Sequence, residues 1–272
     1  MSTRPPDLRS HFGLTTIPFT REVATGDRWA HPQYDEAEDA IKAAVDRRQS
    51  AALIAPAGLG KTMVLRALAD SLPEARFRTH YVKVTDLSKR DFCRELCQAT
   101  GARPAATYGS LVRRLQERME SLLSEDSLRP VLIVDEAHDM RPDVLAILRV
   151  LTNFEMDSKL VVSIVLCGQP PLRALLRRQD MEAVSRRIVY FASLRGLGRQ
   201  EVPDYIAHRL FVCGCDRQIF VEDALEAVFE ATQGNLRAID RLSLRAMEVA
   251  CKAEAAHVTV DHVIEARKTV WP

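Results

Sequence analysis

Two short runs in this chain carry residues whose types and spacing suit phosphate chemistry. The first is Leu53-Ile54-Ala55-Pro56-Ala57-Gly58-Leu59-Gly60-Lys61-Thr62. An apolar strand feeds a tight loop whose backbone amides can point at an anion, and a following helix turns its positive end toward the same place. Lys61 then reaches terminal phosphates, and the Thr62 hydroxyl faces a magnesium ion. The residues expected to line the nucleotide are Pro56, Ala57, Gly58, Leu59, Gly60, Lys61, Thr62 and Met63. The pattern departs from G-x-x-x-x-G-K-[ST] at its first position, where Ala55 stands. A left-handed backbone there would cost an alanine on the order of 1 kcal/mol, whereas an extended one would cost nothing.

The second run is Val131-Leu132-Ile133-Val134-Asp135-Glu136. At the end of an apolar strand, Asp135 can orient magnesium or its water, and Glu136 can polarise the water that attacks a γ-phosphate. Together the runs predict an ATP site with Mg2+, with Thr62 and Asp135 on the metal side. Asp135-Glu136-Ala137-His138 also spells a helicase box, but such helicases use two ATPase-like cores and this length holds one. His138 is therefore read as a supporting polar group or a surface residue.

Strand expectations fall at Ala51 to Ala55, His80 to Val84, Val131 to Asp135, Val161 to Cys167 and Ile188 to Phe191. Helical spacing falls between them, with Asp91 to Ala99, Ser110 to Leu123, Val144 to Phe154 and Leu172 to Arg178 as the clearest stretches. This alternation predicts an α/β fold with a parallel sheet flanked by helices. After Gly196 and Gly198 the pattern becomes helical, over Pro203 to Cys213, Val221 to Thr232, Leu236 to Ala256 and Val260 to Lys268. The expected organisation is an N-terminal arm over 1–29, a nucleotide-binding core over 30–197 and a small helical lid over 198–272. His11 to Arg21 mixes an apolar patch with Pro18 and reads as an arm without helix.

A length of 272 residues admits one large domain and a small companion. With 38 Lys plus Arg against 37 Asp plus Glu, no global field drives association with nucleic acid, although a local basic face can. The longest apolar stretches suit strands and are too short to span a bilayer, and no tripartite leader is seen, so a cytoplasmic protein without a membrane partner is expected. Six cysteines lack a second close Cys-x2-Cys knuckle and read as reduced thiols, leaving nucleotide-linked magnesium as the expected metal.

Read in order, FGLTTIPF, APAGLGKT, VLIVDEAH, LCGQPPL and GNLRAIDRL give a chain that resembles the ExeA-like branch of AAA+ ATPases. That branch is similar to the TnsC, TniB, MuB and IstB regulators of DNA transposition. The resemblance implies a DNA-binding ATPase that assembles into a ring or helical filament on double-stranded target DNA and recruits or activates a transposase. It implies that Gln169 lies near the polar sensor of the γ-phosphate, that Arg237 in GNLR is the lid's sensor arginine, and that Arg186 or, by preference, Arg187 reaches a neighbouring subunit's site. Leu236 replaces the proline expected before Arg237. Lys83, Thr85, Ser88, Lys89 and Arg90 fall where the resembling regulators place DNA-facing elements, and Arg113, Arg114, Arg173, Arg177 and Arg178 could widen that surface. The alternatives are an ATPase supporting a secretion or envelope complex, and a soluble ATP-dependent protein-interaction switch. The ExeA branch commonly carries a membrane-spanning segment and an outer module, and the end at Pro272 favours the DNA reading over secretion.

Overall fold

The computed structural model describes residues 7–269. In chain order its helices and strands are α1 (Leu8–Phe12), α2 (Pro32–Asp46), β1 (Ser50–Ile54), α3 (Lys61–Ser71), β2 (Phe77–Lys83), α4 (Lys89–Thr100), α5 (Tyr108–Ser124) and β3 (Arg129–Asp135). There follow α6 (Pro142–Leu145), α7 (Ile147–Leu151), β4 (Ser163–Gly168), α8 (Pro171–Leu176), α9 (Glu182–Ser185) and β5 (Ile188–Ser193). The last four helices are α10 (Glu201–Phe211), α11 (Glu222–Thr232), α12 (Leu236–Lys252) and α13 (Val260–Arg267).

The chain divides into two compact units. One comprises His31–Ala57 and Lys61–Leu194; the other comprises the chain before His31, Gly58–Gly60 and the chain from Arg195 onward. The first unit holds a five-stranded sheet in the order β2-β3-β4-β1-β5, with every pairing parallel. The three inner strands are apolar without alternation because helices cover both faces, and β1 and β4 are buried at every position. The outer strands β2 and β5 alternate buried with exposed residues. Phe92, Leu96, Leu111, Leu115 and Leu132 pack in the sheet core, each contributing about 1.5–3 kcal/mol by leaving water.

Local chemistry sets the helix ends. Ser88 caps α4 by accepting from Asp91 N at 3.2 Å, and Gly101 closes the same helix in a left-handed conformation. Thr107 caps α5 in the same way, accepting from Ser110 N. The single helix expected over Val144 to Phe154 is instead two short ones. Its hydrogen bonds tighten to three-residue spacing at the join, where Arg149 N donates to Ala146 O.

The helical unit includes the N-terminal segment. Phe12, Leu14 and Phe19 share one core with Leu210, Phe220, Ile239, Met247 and Val258. The stretch His11 to Arg21, expected to be without helix, begins inside α1, which Gly13 ends at a φ of +70°. Long-range bonds hold this segment, among them His11 Nε2 2.8 Å from Ala255 O, Arg217 donating to Phe12 O, and Thr15 donating to Cys213 O. None of these is visible in local periodicity. A buried network also joins α10, α12 and this segment. Arg209 donates to both Asp240 oxygens and to Thr20 O, and the Tyr205 hydroxyl donates to Asp240 Oδ1.

Candidate active site

The loop after β1 and the end of β3 present the candidate chemistry at the carboxyl ends of parallel strands, where open α/β sheets place ligands. Ala55 N donates to Gly168 O at 3.1 Å, so the chain continues β1 into the loop. Ala55 does not have a positive φ, so replacing the usual glycine carries no left-handed penalty. Gly58 and Gly60 do have positive φ, at +81° and +87°. Lys61 opens α3 with its ammonium buried to 8% exposure, donating to Ala55 O at 2.9 Å and Pro56 O at 3.0 Å. Those carbonyls aim the cation along the loop, and the third N–H suits an anion. Thr62 is exposed at the next position, and Leu59 is buried beneath the loop.

Gly58–Gly60 belongs with the helical unit, and the contacts there explain why. Arg237 N donates to Gly58 O at 3.1 Å. A Cβ added at Gly58 would stand 2.4 Å from Asn235 Oδ1 and 3.0 Å from Arg237 Cβ. Asn235 also caps α12, accepting from Ala238 N at 3.2 Å. Sequence reasoning selected Arg237 and overlooked Asn235, although the cap-like Asn-Leu-Arg step was the available signal.

Asp135 is buried, and its carboxylate is held on several sides. Its Oδ1 accepts from Glu136 N at 2.8 Å, and its Oδ2 accepts from the Tyr81 hydroxyl at 2.9 Å. Cys167 on β4 follows Leu166, the registered neighbour of Val134, and so stands beside Asp135. Burial first, and then the Asp135 charge, push both the Tyr81 phenol and the Cys167 thiol well above their ordinary ranges, so both stay protonated donors. Tyr81 and Cys167 were missed as site residues because strand pairing brings them there. Glu136 has φ 55° and ψ 33°, a left-handed conformation that costs a glutamate about 1–2 kcal/mol and turns its side chain out of the strand's alternation.

Gln169 and His138 meet beside these acids, with Gln169 Nε2 2.7 Å from His138 Nε2. His138 Nδ1 in turn lies 3.5 Å from Glu136 Oε2. The oxygen donors fit magnesium held by one or two protein ligands together with phosphate oxygens, and among the described residues no cluster of His, Cys, Asp and Glu forms a separate metal cage. All six cysteines are buried, and burial pushes the Cys93 thiol up to about 12.

Of the remaining predicted residues, Lys83 is the registered neighbour of Asp135 in the pairing of β2 with β3, whereas the arginines before β5 stand at the opposite ends of the strands. Arg186 and Arg187 precede β5 at the amino ends of the strands, lining a cavity of about 520 Å³ with Arg48, Ser50, Val162 and Val189. The five residues of β1 separate this edge of the sheet from the Lys61 edge by roughly 16 Å. Arg186 pairs with Glu182, and Arg187 donates to Ala183 O at 2.8 Å. Of the expected DNA-facing group, Lys83, Thr85 and Arg90 are exposed, Ser88 is engaged as the α4 cap, and Lys89 pairs with Asp143 at 3.6 Å. Arg113 pairs with Glu117, Arg114 donates to Arg103 O and Pro104 O, and Arg178 is bidentate to Asp180. Arg173 and Arg177 are exposed.

Comparison with known proteins bears on the fold. A family model described as an AAA domain matches residues 44–176. The chain is similar to general secretion pathway protein A of Aeromonas hydrophila, 33% identical over 205 residues that make up 75% of this chain and 37% of that protein. It therefore spans just over a third of that relative's length. Among solved structures it is similar to Cdc6p of Pyrobaculum aerophilum, with a TM-score of 0.74 and 18% identity over 93% of this chain and 70% of that one. It is also similar to the Aeropyrum pernix ORC1 protein in complex with DNA, with a TM-score of 0.66 and 16% identity over 89% of this chain and 66% of that one. The Holliday junction branch migration motor RuvB of Thermotoga maritima gives a TM-score of 0.55 and 19% identity over 86% and 67%. At these identities the structural likeness bears on the fold, which is the P-loop AAA+ fold.

Proposed function

From the premise that this chain is an ATPase on the P-loop AAA+ fold, we propose that its ATP cycle serves the assembly of a secretion or envelope complex. The observation that carries this reading is the 33% identity over 205 residues to general secretion pathway protein A. The expectation of transposition regulation has no such relative behind it. No described helix is long and apolar enough to cross a membrane.

At the site, Pro56 through Met63 wrap the phosphates of ATP, with Lys61 neutralising the terminal ones. Thr62 and Asp135 would hold magnesium, which would supply charge neutralisation to the transferring phosphoryl group. Glu136 polarises the attacking water, and Gln169 contacts the γ-phosphate. Arg187, or Arg186 beside it, serves the site of a second copy, a role supported by the distance along β1 from its own Lys61 edge.

The test separates binding from chemistry. Lys61→Ala should lose ATP binding, whereas Glu136→Gln should bind ATP normally and release phosphate at least a hundredfold more slowly. Normal phosphate release by Glu136→Gln would remove the assigned base. Deleting the gene in its host and measuring exported protein addresses the wider role, which unchanged export would refute.

A second reading, DNA engagement by a cytoplasmic ring or filament that serves a transposase, is favoured by the exposed cations at the end of β2 and the start of α4. Lys83 and Arg90 have no ion-pair partner among the described residues. Lys83→Ala with Arg90→Ala should reduce the logarithmic salt slope of duplex binding by about 2, about one per lost phosphate contact. An unchanged slope would remove this surface from the DNA reading.

A further inference from the structure

We propose that His138 is a positioning residue that links the Gln169 amide to the Glu136 carboxylate, so that a ligand held by Gln169 is felt by the water-activating acid. The proposal rests on the ATPase reading above. Three side chains stand in line within the sheet unit. Gln169 Nε2 is 2.7 Å from His138 Nε2, and on the other side of the ring His138 Nδ1 is 3.5 Å from Glu136 Oε2.

Two further observations give the line a direction. Glu136 Oε2 and His138 Nδ1 are both buried and both without a hydrogen-bond partner, and they face each other across that 3.5 Å gap. A small rotation of either side chain closes the gap into a hydrogen bond. With the Gln169 amide donating to Nε2, the ring proton belongs on Nδ1, aimed at the glutamate. Asp139 Oδ1 also lies 3.5 Å from His138 Nε2, but its carboxylate is far more exposed than the ring and competes with Gln169 rather than with Glu136.

The backbone keeps the ring in place. A Cβ added at Gly168 would stand 3.1 Å from His138 N, so the end of β4 packs directly on the turn Ala137–Asp139. Glu136 enters that turn in its left-handed conformation, which brings the carboxylate back toward the imidazole. Displacing Gln169 therefore moves the acceptor side of the ring, and the donor side moves the carboxylate.

A double-mutant cycle on steady-state hydrolysis tests the link, using His138→Ala, Gln169→Ala and the pair. Each single change should lower kcat about tenfold with KM within about twofold, and the pair should also lower it about tenfold, since both break one connection. An approximately hundredfold loss in the pair, or no loss in His138→Ala, would overturn the proposal. If His138→Ala melts early, His138→Phe keeps a ring without nitrogen and repeats the cycle. A second readout needs no nucleotide: 15N spectra near pH 8 should place the ring proton of His138 on Nδ1, and Gln169→Ala should shift that signal. A proton on Nε2, or a signal unmoved by Gln169→Ala, would overturn it as well. Wild-type chain without hydrolysis would refute the ATPase reading together with the link, whereas additivity beside an inactive Glu136→Gln would refute the link alone.

Discussion

Replacing Gly58 by alanine tests how the phosphate loop is seated. The residue has a φ of +81°, and its new Cβ would meet Asn235 Oδ1 at 2.4 Å, with Asn235 Nδ2 and Arg237 Cβ at 3.0 Å. A left-handed alanine costs about 1–2 kcal/mol, and forcing a methyl into packed neighbours adds roughly 1–3 kcal/mol. The substitution should therefore destabilise the chain by about 2–5 kcal/mol. Asn235 cannot swing aside freely, because its Oδ1 accepts from Ala238 N at the start of α12. Asn235→Ala alone should cost about 1 kcal/mol as a lost helix cap. In the double variant the main overlap is gone, so the combined loss should fall short of the sum by about 1–3 kcal/mol. Urea unfolding followed by circular dichroism measures all three, with Gly26→Ala as a control because nothing lies within 4 Å of its added Cβ. Additive losses, or a Gly58→Ala variant as mild as Gly26→Ala, would refute the reasoning.

Other outcomes follow from buried polar groups. Arg209→Ala leaves Asp240 and the Tyr205 hydroxyl without their cation and should cost about 3–5 kcal/mol. Thermal melting reads this, and a shift within error would show that water replaces the guanidinium. Burial holds the His80 imidazole below its ordinary 6.5 against the opposing hydrogen bond to Ala99 O, with Arg78 and Arg118 adding to the depression. The unfolded chain then takes up a proton that the fold resists, so stability is intact above pH 6.5 and is lost as pH falls below it. His80→Gln should flatten the decline in urea midpoint between about pH 7 and 5, and equal slopes for both chains would contradict the assignment.

The glycine-lysine loop and the strand-end acids were legible because each is local: a strand, a turn and a helix start lie within ten residues of one another, and an apolar run ends in acid. The inner strands were legible for the same reason, since burial on both faces removes alternation. Residues supplied by another strand or helix were not. Tyr81 reaches Asp135 through the pairing of β2 with β3, in which Lys83 rather than Tyr81 is the registered neighbour of Asp135. Asn235 reaches Gly58 from a residue 177 positions later in the chain. Helix α1 escaped notice because its five residues bury only Phe12 and depend on bonds to Ala255 and Arg217. Ser88 and Lys89, two of the five residues expected to face DNA, serve in the fold as the α4 cap and as the partner of Asp143, contacts that their sequence neighbours do not announce.

The position of β5 at the margin of the sheet has a consequence for handling the protein. Its six residues, Ile188-Val189-Tyr190-Phe191-Ala192-Ser193, contain neither charge nor proline, and Val189 and Phe191 are about half exposed. A strand of that composition on an open edge is a template for adding further strands, the route by which partly opened chains aggregate. Arg186 and Arg187 stand directly before it, and their like charges oppose the stacking of identical segments in register. Neutralising both would therefore lower colloidal solubility, so a change in yield or turbidity on Arg186→Ala with Arg187→Ala has to be separated from any change in hydrolysis.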